Sequence, residues 1–281
     1  MVIDFHTHAF PEAIAASTLE KLSGMSHSAP FTDGTEVGLS ASMAQAGVDL
    51  SIVLPVATSP RQVPRINDAA ARTNQRTAET GLFSFGCIHP DYEDWRTELD
   101  RIAALGLKGV KLHPVYQGVD LDDPRYLRIL TRAGELGLVV VTHAGADIGF
   151  PGAEHCMPAV VRRAVEQAGP VTLVAAHMGG WKRWEEAAEQ LVDLPVYLDT
   201  SFSIGSIRPL DDGYYAPEEL QLLDQEQFIQ MVRRFGAQRI LFGTDSPWSG
   251  QRESVDWIRA LPLTREEKEA ILSGNARKLL A

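Results

Sequence analysis

The stretch "LVVVTHAG", residues 138–145, is apolar at every position until it ends on a threonine, a histidine and a small turn. A strand with one wet face alternates apolar and polar residues. A run that does not alternate belongs to a strand covered on both faces, as in a parallel sheet. Seven similar runs recur along the 281 residues: "VIDFHTH" (2–8), "SIVLPVA" (51–57), "LFSFGCIHP" (82–90), "GVKLHP" (109–114), "VTLVAAHMGG" (171–180), "VYLDTSFS" (196–203) and "RILFGTDSPW" (239–248). Between them, "DWRTELDRIAALG", "PRYLRILTRAGELG", "MPAVVRRAVEQAG" and "DQEQFIQMVRRFG" have helical spacing, and several close on glycine as helix ends do. Eight strands alternating with helices predict a (β/α)8 TIM barrel, one α/β domain over residues 1–281, close to the ~250 residues usual for that fold. A doubly wound open sheet is the competing fold. It normally has fewer strands, and no GxGxxG or Walker sequence is present.

Composition narrows the function classes. The chain carries 26 basic and 37 acidic residues, a formal charge of −11. That balance argues against nucleic acid or an anionic membrane surface as partner. No apolar run approaches a spanning helix, and no basic region with an apolar core opens the chain. Cys87 and Cys156 are far apart and form no CxxC, so two free thiols in a reducing compartment are expected. The expectation is a cytoplasmic enzyme acting on a small molecule, with a homodimer compatible.

In a barrel, polar residues at the C-terminal ends of strands read as site residues. Here they are His6 and His8 on the first strand, Lys111 and His113 on the fourth, His143 on the fifth, His177 on the sixth and Asp245 on the eighth. One such histidine alone is more often a satisfied core residue. Seven polar groups converging on one rim suit a divalent metal, because imidazole nitrogen and carboxylate oxygen ligate Zn²⁺ and leave a position for water. The same mixed set accepts Mn²⁺, Fe²⁺ or Co²⁺. Strand alternation places Asp4, His6 and His8 on one face, with Asp4 deeper and structural or supporting.

With these residues in view, the chain resembles the amidohydrolase superfamily: an HxH on strand one, single histidines ending strands five and six, and an aspartate ending strand eight. "GVKLHP", "FGTDSPW" and "GNARKLL" look like its amidohydrolase-related branch, which holds metal-dependent hydrolases and decarboxylases of the aminocarboxymuconate-semialdehyde type. PHP-type phosphoesterases open on a similar strand, but the Ser-Asp-Gly stretch that usually follows it there is absent. The resemblance implies His6, His8, His143 and Asp245 as metal ligands, with Asp245 also the general base. His177 becomes a second-metal ligand or a group polarising the substrate. Lys111 falls where binuclear members carry a carboxylated, metal-bridging lysine, and it equally reads as a structural lysine paired with Asp4 or Asp245. One or two ions, Zn²⁺ first among them, are therefore expected.

The expected reaction is attack of metal-activated water on a C–N or C–O bond of an amide, lactone or ester. The alternative is non-oxidative decarboxylation of a small carboxylic acid, which the lysine disfavours. His113, Trp248 and Arg208 are the candidate substrate contacts. The segments 9–49 and 201–219 follow strand ends and are longer than connections require, so they are expected to shape the pocket. His89, His155 with Cys156, His27, Trp181, Trp184 and Arg61 have simpler structural readings. Asn275 reads as the cap of the last helix.

Overall fold

The computed structural model of the chain describes residues 1–281. Its strands are β1 (Ile3–Thr7), β2 (Leu50–Val53), β3 (Leu82–Ser84), β4 (Gly86–Cys87), β5 (Gly109–Leu112), β6 (Val139–Thr142), β7 (Leu173–Ala175), β8 (Tyr197–Asp199) and β9 (Ile240–Leu241). They pair in parallel and in chain order, β1 to β3 in one sheet and β4 to β9 in another. Only Phe85 separates β3 from β4, so nine short strands fill the eight expected positions. The chain beyond β9 returns to β1: Phe5 N–H donates to Phe242 O at 2.7 Å, and Asp245 N–H to His6 O at 2.7 Å. The fold is the (β/α)8 TIM barrel.

The apolar runs are explained by two buried layers. Val139 and Val141 join Ile3, Phe5, Ile52, Leu54, Phe85, Val174 and Leu241 in an inner cluster. Val140 faces the other way, into a larger cluster shared with helix residues such as Ile129, Ala133 and Val161. Gly109 is required at the crossing of strands, because a Cβ there would lie 2.3 Å from Val139 O and 2.4 Å from the Phe85 ring.

The helices occur where the spacing places them, at Trp95–Ala104, Pro124–Glu135, Pro158–Ala168 and Gln225–Phe235. Proline opens the second and third, and an Asp224/Gln227 capping box opens the fourth. The long connection 9–49 folds into two helices, Glu12–Ser26 and Glu36–Ala46. Asn275 is not a cap. It is buried, and its Nδ2 donates to Ala237 O and Ile240 O, both at 2.7 Å, tying the last helix to β9. No helix is long and apolar enough to cross a membrane. Both cysteines are free and buried.

Candidate metal centre

Strand β1 does not alternate regularly. Its pairing with β2 slips by one residue between Asp4 and Thr7. The extra residue leaves Phe5 beside Ile3 in the inner cluster, while His6 and His8 turn to the polar rim. Asp4 is thereby separated from the histidines, contrary to simple alternation. It accepts from Thr244 N at 3.0 Å, Thr244 Oγ1 at 2.6 Å and Gln251 Nε2 at 2.8 Å, on the side of the helix Gln251–Ala260. Gly243 makes room for His6, since a Cβ there would lie 2.8 Å from the His6 Cβ.

Hydrogen-bond partners fix which imidazole nitrogens are bare. A carbonyl or carboxylate oxygen can only accept, so the ring nitrogen facing it carries the proton. His6 Nδ1 faces Asp199 Oδ2 at 2.8 Å, His8 Nδ1 faces Leu54 O at 2.8 Å, and His177 Nδ1 faces Ser201 O at 2.9 Å. The Nε2 of His6 and of His177 is therefore bare, whereas His8 sets both its nitrogens against oxygens, Leu54 O and Asp245 Oδ1. His8 Nε2 and His6 Nε2 lie 3.0 and 3.2 Å from Asp245 Oδ1. The three atoms converge on one point, where a divalent cation can take the place of the proton between His8 and Asp245. Lys111 Nζ, 3.0 Å from His6 Nε2, is the one lysine or arginine in hydrogen-bond contact with this group. The donor set His6, His8 and Asp245 thus fits a divalent cation on chemistry and spacing.

Burial sets the charges. It pushes His6 down to about 4, helped by Lys111, and pushes Lys111 down to about 8. Burial alone would raise Asp245, but its hydrogen bond with His8 and the neighbouring imidazoles hold it well below the usual carboxylate range. The centre thus holds an ionised carboxylate beside a neutral His6. Backbone φ is +64° at Asp245 and +58° at His177, sparsely populated conformations of the kind that cluster at functional sites.

His143 stands apart from the first three. Its Nε2 donates to Ala146 O at 3.1 Å, and its ring stacks on His113, centroids 4.5 Å apart. His113, His143 and Asp147 form a second buried group. His113 Nδ1 accepts from Tyr116 N at 3.4 Å, so its Nε2 bears the proton, as does that of His143. Both nitrogens that face Asp147 are thus protonated, and the group does not point bare donors at a common ion. The rings run on as a row, His143 to His177 at 4.7 Å and His177 to His6 at 5.2 Å.

Trp248 N donates to Asp245 O at 2.9 Å, and its ring packs on the cluster of Trp181, Phe202, Ile207 and Leu222. Trp184 Nε1 donates to His177 O at 3.1 Å. Arg208 is exposed, with its guanidinium over Phe31. His155 pairs with Asp120 and His27 with Asp212, each at 2.6 Å. Sequence reasoning missed Asp199 and Asp147. Asp199 ends an apolar run just as Asp245 does, so the strand-end rule could have found it.

The Amidohydrolase family profile matches residues 3–281, and the chain belongs to that family. A search of curated proteins finds no match. Among solved structures, the chain is similar to 2,6-dihydroxybenzoate decarboxylase from Rhizobium, with 17% identity over 99% of this chain and 98% of that one, at a TM-score of 0.70. It is also similar to a protein named as a 2-pyrone-4,6-dicarboxylic acid hydrolase from Pseudomonas putida, with 21% identity over 99% and 97% at 0.66. A third is a dihydroxybenzoic acid decarboxylase from Polaromonas, with bound manganese and the inhibitor 2-nitroresorcinol, at 15% identity over 99% and 96% and 0.70. The family thus includes hydrolases and decarboxylases and is metal-dependent.

Proposed function

We propose that residues 1–281 form one catalytic barrel domain, a metal-dependent hydrolase that cleaves the C–N or C–O bond of a small amide, lactone or ester. His6, His8 and Asp245 hold the cation, with His143 and His177 next in the row of imidazoles. Zn²⁺ suits the mixed nitrogen and oxygen donors. The cation supplies charge that polarises a substrate carbonyl and acidifies water.

Asp245 carries this reading. Its Oδ1 faces His6 and His8, while its Oδ2 makes no hydrogen bond and is free to accept the proton of an attacking water. His177 keeps a bare Nε2 that can receive the proton and return it to the leaving group. Trp248 walls the pocket beside Asp245. Arg208, exposed over Phe31, is the candidate to meet a substrate's polar group at the mouth of the site.

Decarboxylation is the second reading: a metal-bridging lysine would disfavour it, but Lys111 as an ammonium beside His6 offers a charge that could hold a substrate carboxylate. The deciding experiment incubates the Zn²⁺- or Mn²⁺-loaded protein with lactones, amides and aromatic carboxylates, measuring acid release and carbon dioxide in parallel. Acid release without carbon dioxide is expected. Carbon dioxide in proportion to substrate consumed would overturn hydrolysis.

A further inference from the structure

His113 and Asp147 are not used by the centre described above, yet both are buried at its edge. The His113 ring is held in plane between two others: it stacks on Tyr116, centroids 3.8 Å apart, and on His143 at 4.5 Å. With Nδ1 accepting from Tyr116 N, its Nε2 is a fixed hydrogen-bond donor. Asp147 Oδ1 accepts from Gly149 N at 2.8 Å, which accounts for the turn that follows. Its Oδ2 has no partner within hydrogen-bond distance. His113 Nε2 and His143 Nε2 each lie 3.7 Å from it. No lysine or arginine pairs with this carboxylate, although only 5% of its side chain is exposed. A carboxylate oxygen in so enclosed a place, with no side-chain cation paired to it, is open to a donor from a bound molecule.

We propose that His113 and Asp147 form a recognition pair for a cis amide edge, with His113 Nε2–H donating to the substrate carbonyl and Asp147 Oδ2 accepting its N–H. This rests on the hydrolase reading and sharpens it, selecting the C–N substrates over the C–O ones. A cis amide, as in a lactam, a cyclic imide or a primary amide, carries its acceptor and its donor on one side. A lactone of the same shape leaves Asp147 unsatisfied. Sites built to bond an N–H reject the analogue that lacks it far more strongly than apolar pockets discriminate size. Tyr116 in turn meets Phe150 at a tilt of 58°, centroids 5.3 Å apart, and Phe150 is 39% exposed, so the aromatic row runs from His113 to the surface.

The test measures binding of δ-valerolactam, N-methyl-δ-valerolactam and δ-valerolactone to the Zn²⁺-loaded protein by ligand-observed NMR titration, with bound zinc counted in every variant. The lactam is expected to bind at least about tenfold tighter than either analogue. Asp147→Ala should remove that preference and leave affinity for the lactone unchanged. His113→Phe, which keeps the stacked ring, should weaken all three alike. Asp147→Asn, which keeps one acceptor oxygen, should retain part of the preference. Equal affinities in the wild type, or no saturable lactam binding, would overturn the pair. Failure of the hydrolase reading looks different: the N–H preference persists, but no amide is turned over.

Discussion

Asp199 Oδ2 lies 2.8 Å from His6 Nδ1, and neither side chain is exposed to solvent. The same carboxylate accepts from His177 N at 3.0 Å and from Ser201 N at 3.1 Å through Oδ1. One aspartate therefore orients the His6 imidazole and anchors the backbone of His177. Burial alone would raise its pKa, but the His6 contact and its hydrogen bonds hold it well below the usual range. Carboxylates placed behind a metal-binding histidine typically contribute 10–100-fold in metal affinity.

Asp199→Ala should accordingly weaken Zn²⁺ binding by about 10–100-fold, measured by competition with a chromophoric chelator. Asp199→Asn, which keeps one oxygen for His6, should fall between. Wild-type affinity in the alanine variant would mean that His6 is oriented by something else.

Asp245→Asn should lower turnover by about 10²–10⁴-fold, the usual contribution of a general base. Part of the metal should remain, because the amide oxygen still coordinates weakly. Kinetics and elemental analysis on one preparation check both parts. Near-normal turnover in a variant confirmed by mass would remove Asp245 from the chemistry.

The strand positions were legible because a parallel barrel buries both faces, and continuous apolar runs as short as 138–145 suit few folds besides. The residues at strand ends followed from that geometry. The slip in β1 was not legible: one extra residue leaves no mark in composition, so Asp4 is placed with His6 and His8 by alternation and stands apart from them in the fold. Protonation of the imidazoles was hidden too, because it depends on carbonyls of Leu54, Ala146 and Ser201, which only folding brings to the rings. Asp147 lies in a loop after β6, where no periodicity marks it.

Asp4 makes a pH prediction. Burial pushes its carboxyl up to about 7, although donors from Thr244, Gln251 and His6 oppose the rise. The folded state then keeps a proton that the unfolded chain, with a carboxyl near 3.8, has lost. Stability contributed by this group is present below pH ~4 and falls as pH rises towards ~7. Asp4→Ala should lose at least about 2 kcal/mol by stranding buried donors. Its urea midpoint should also depend less on pH across that window. Parallel wild-type and variant curves would show that Asp4 does not titrate there.

The excursion after β8 is tied down at its tip. Leu210 N donates to His27 O at 2.9 Å, His27 Nδ1 meets Asp212 Oδ2 at 2.6 Å, and the His27 and Tyr214 rings stack 3.7 Å apart. These contacts are exposed, so their loss should act locally rather than on global stability. His27→Ala should speed amide exchange several-fold over residues 208–216 with little change in melting temperature. Unchanged exchange there would mean that the backbone bonds alone hold the segment.

Metal number turns on Lys111. Its Nζ lies 3.0 Å from His6 Nε2, buried among Asp199, Asp245 and Asp147, whose charges favour an ammonium against the pull of burial. As an ammonium it adds positive charge beside a centre with one adjoining carboxylate, Asp245, which opposes a second cation more than a first. As a carbamate it would instead bring a negative charge and two oxygens that bridge two ions. One ion per chain is therefore expected after purification with excess zinc, with or without bicarbonate. Lys111→Met, which removes the charge and keeps most of the bulk, should leave that count at one. Two ions per chain in the wild type with bicarbonate, falling to one in Lys111→Met, would establish the bridging lysine instead.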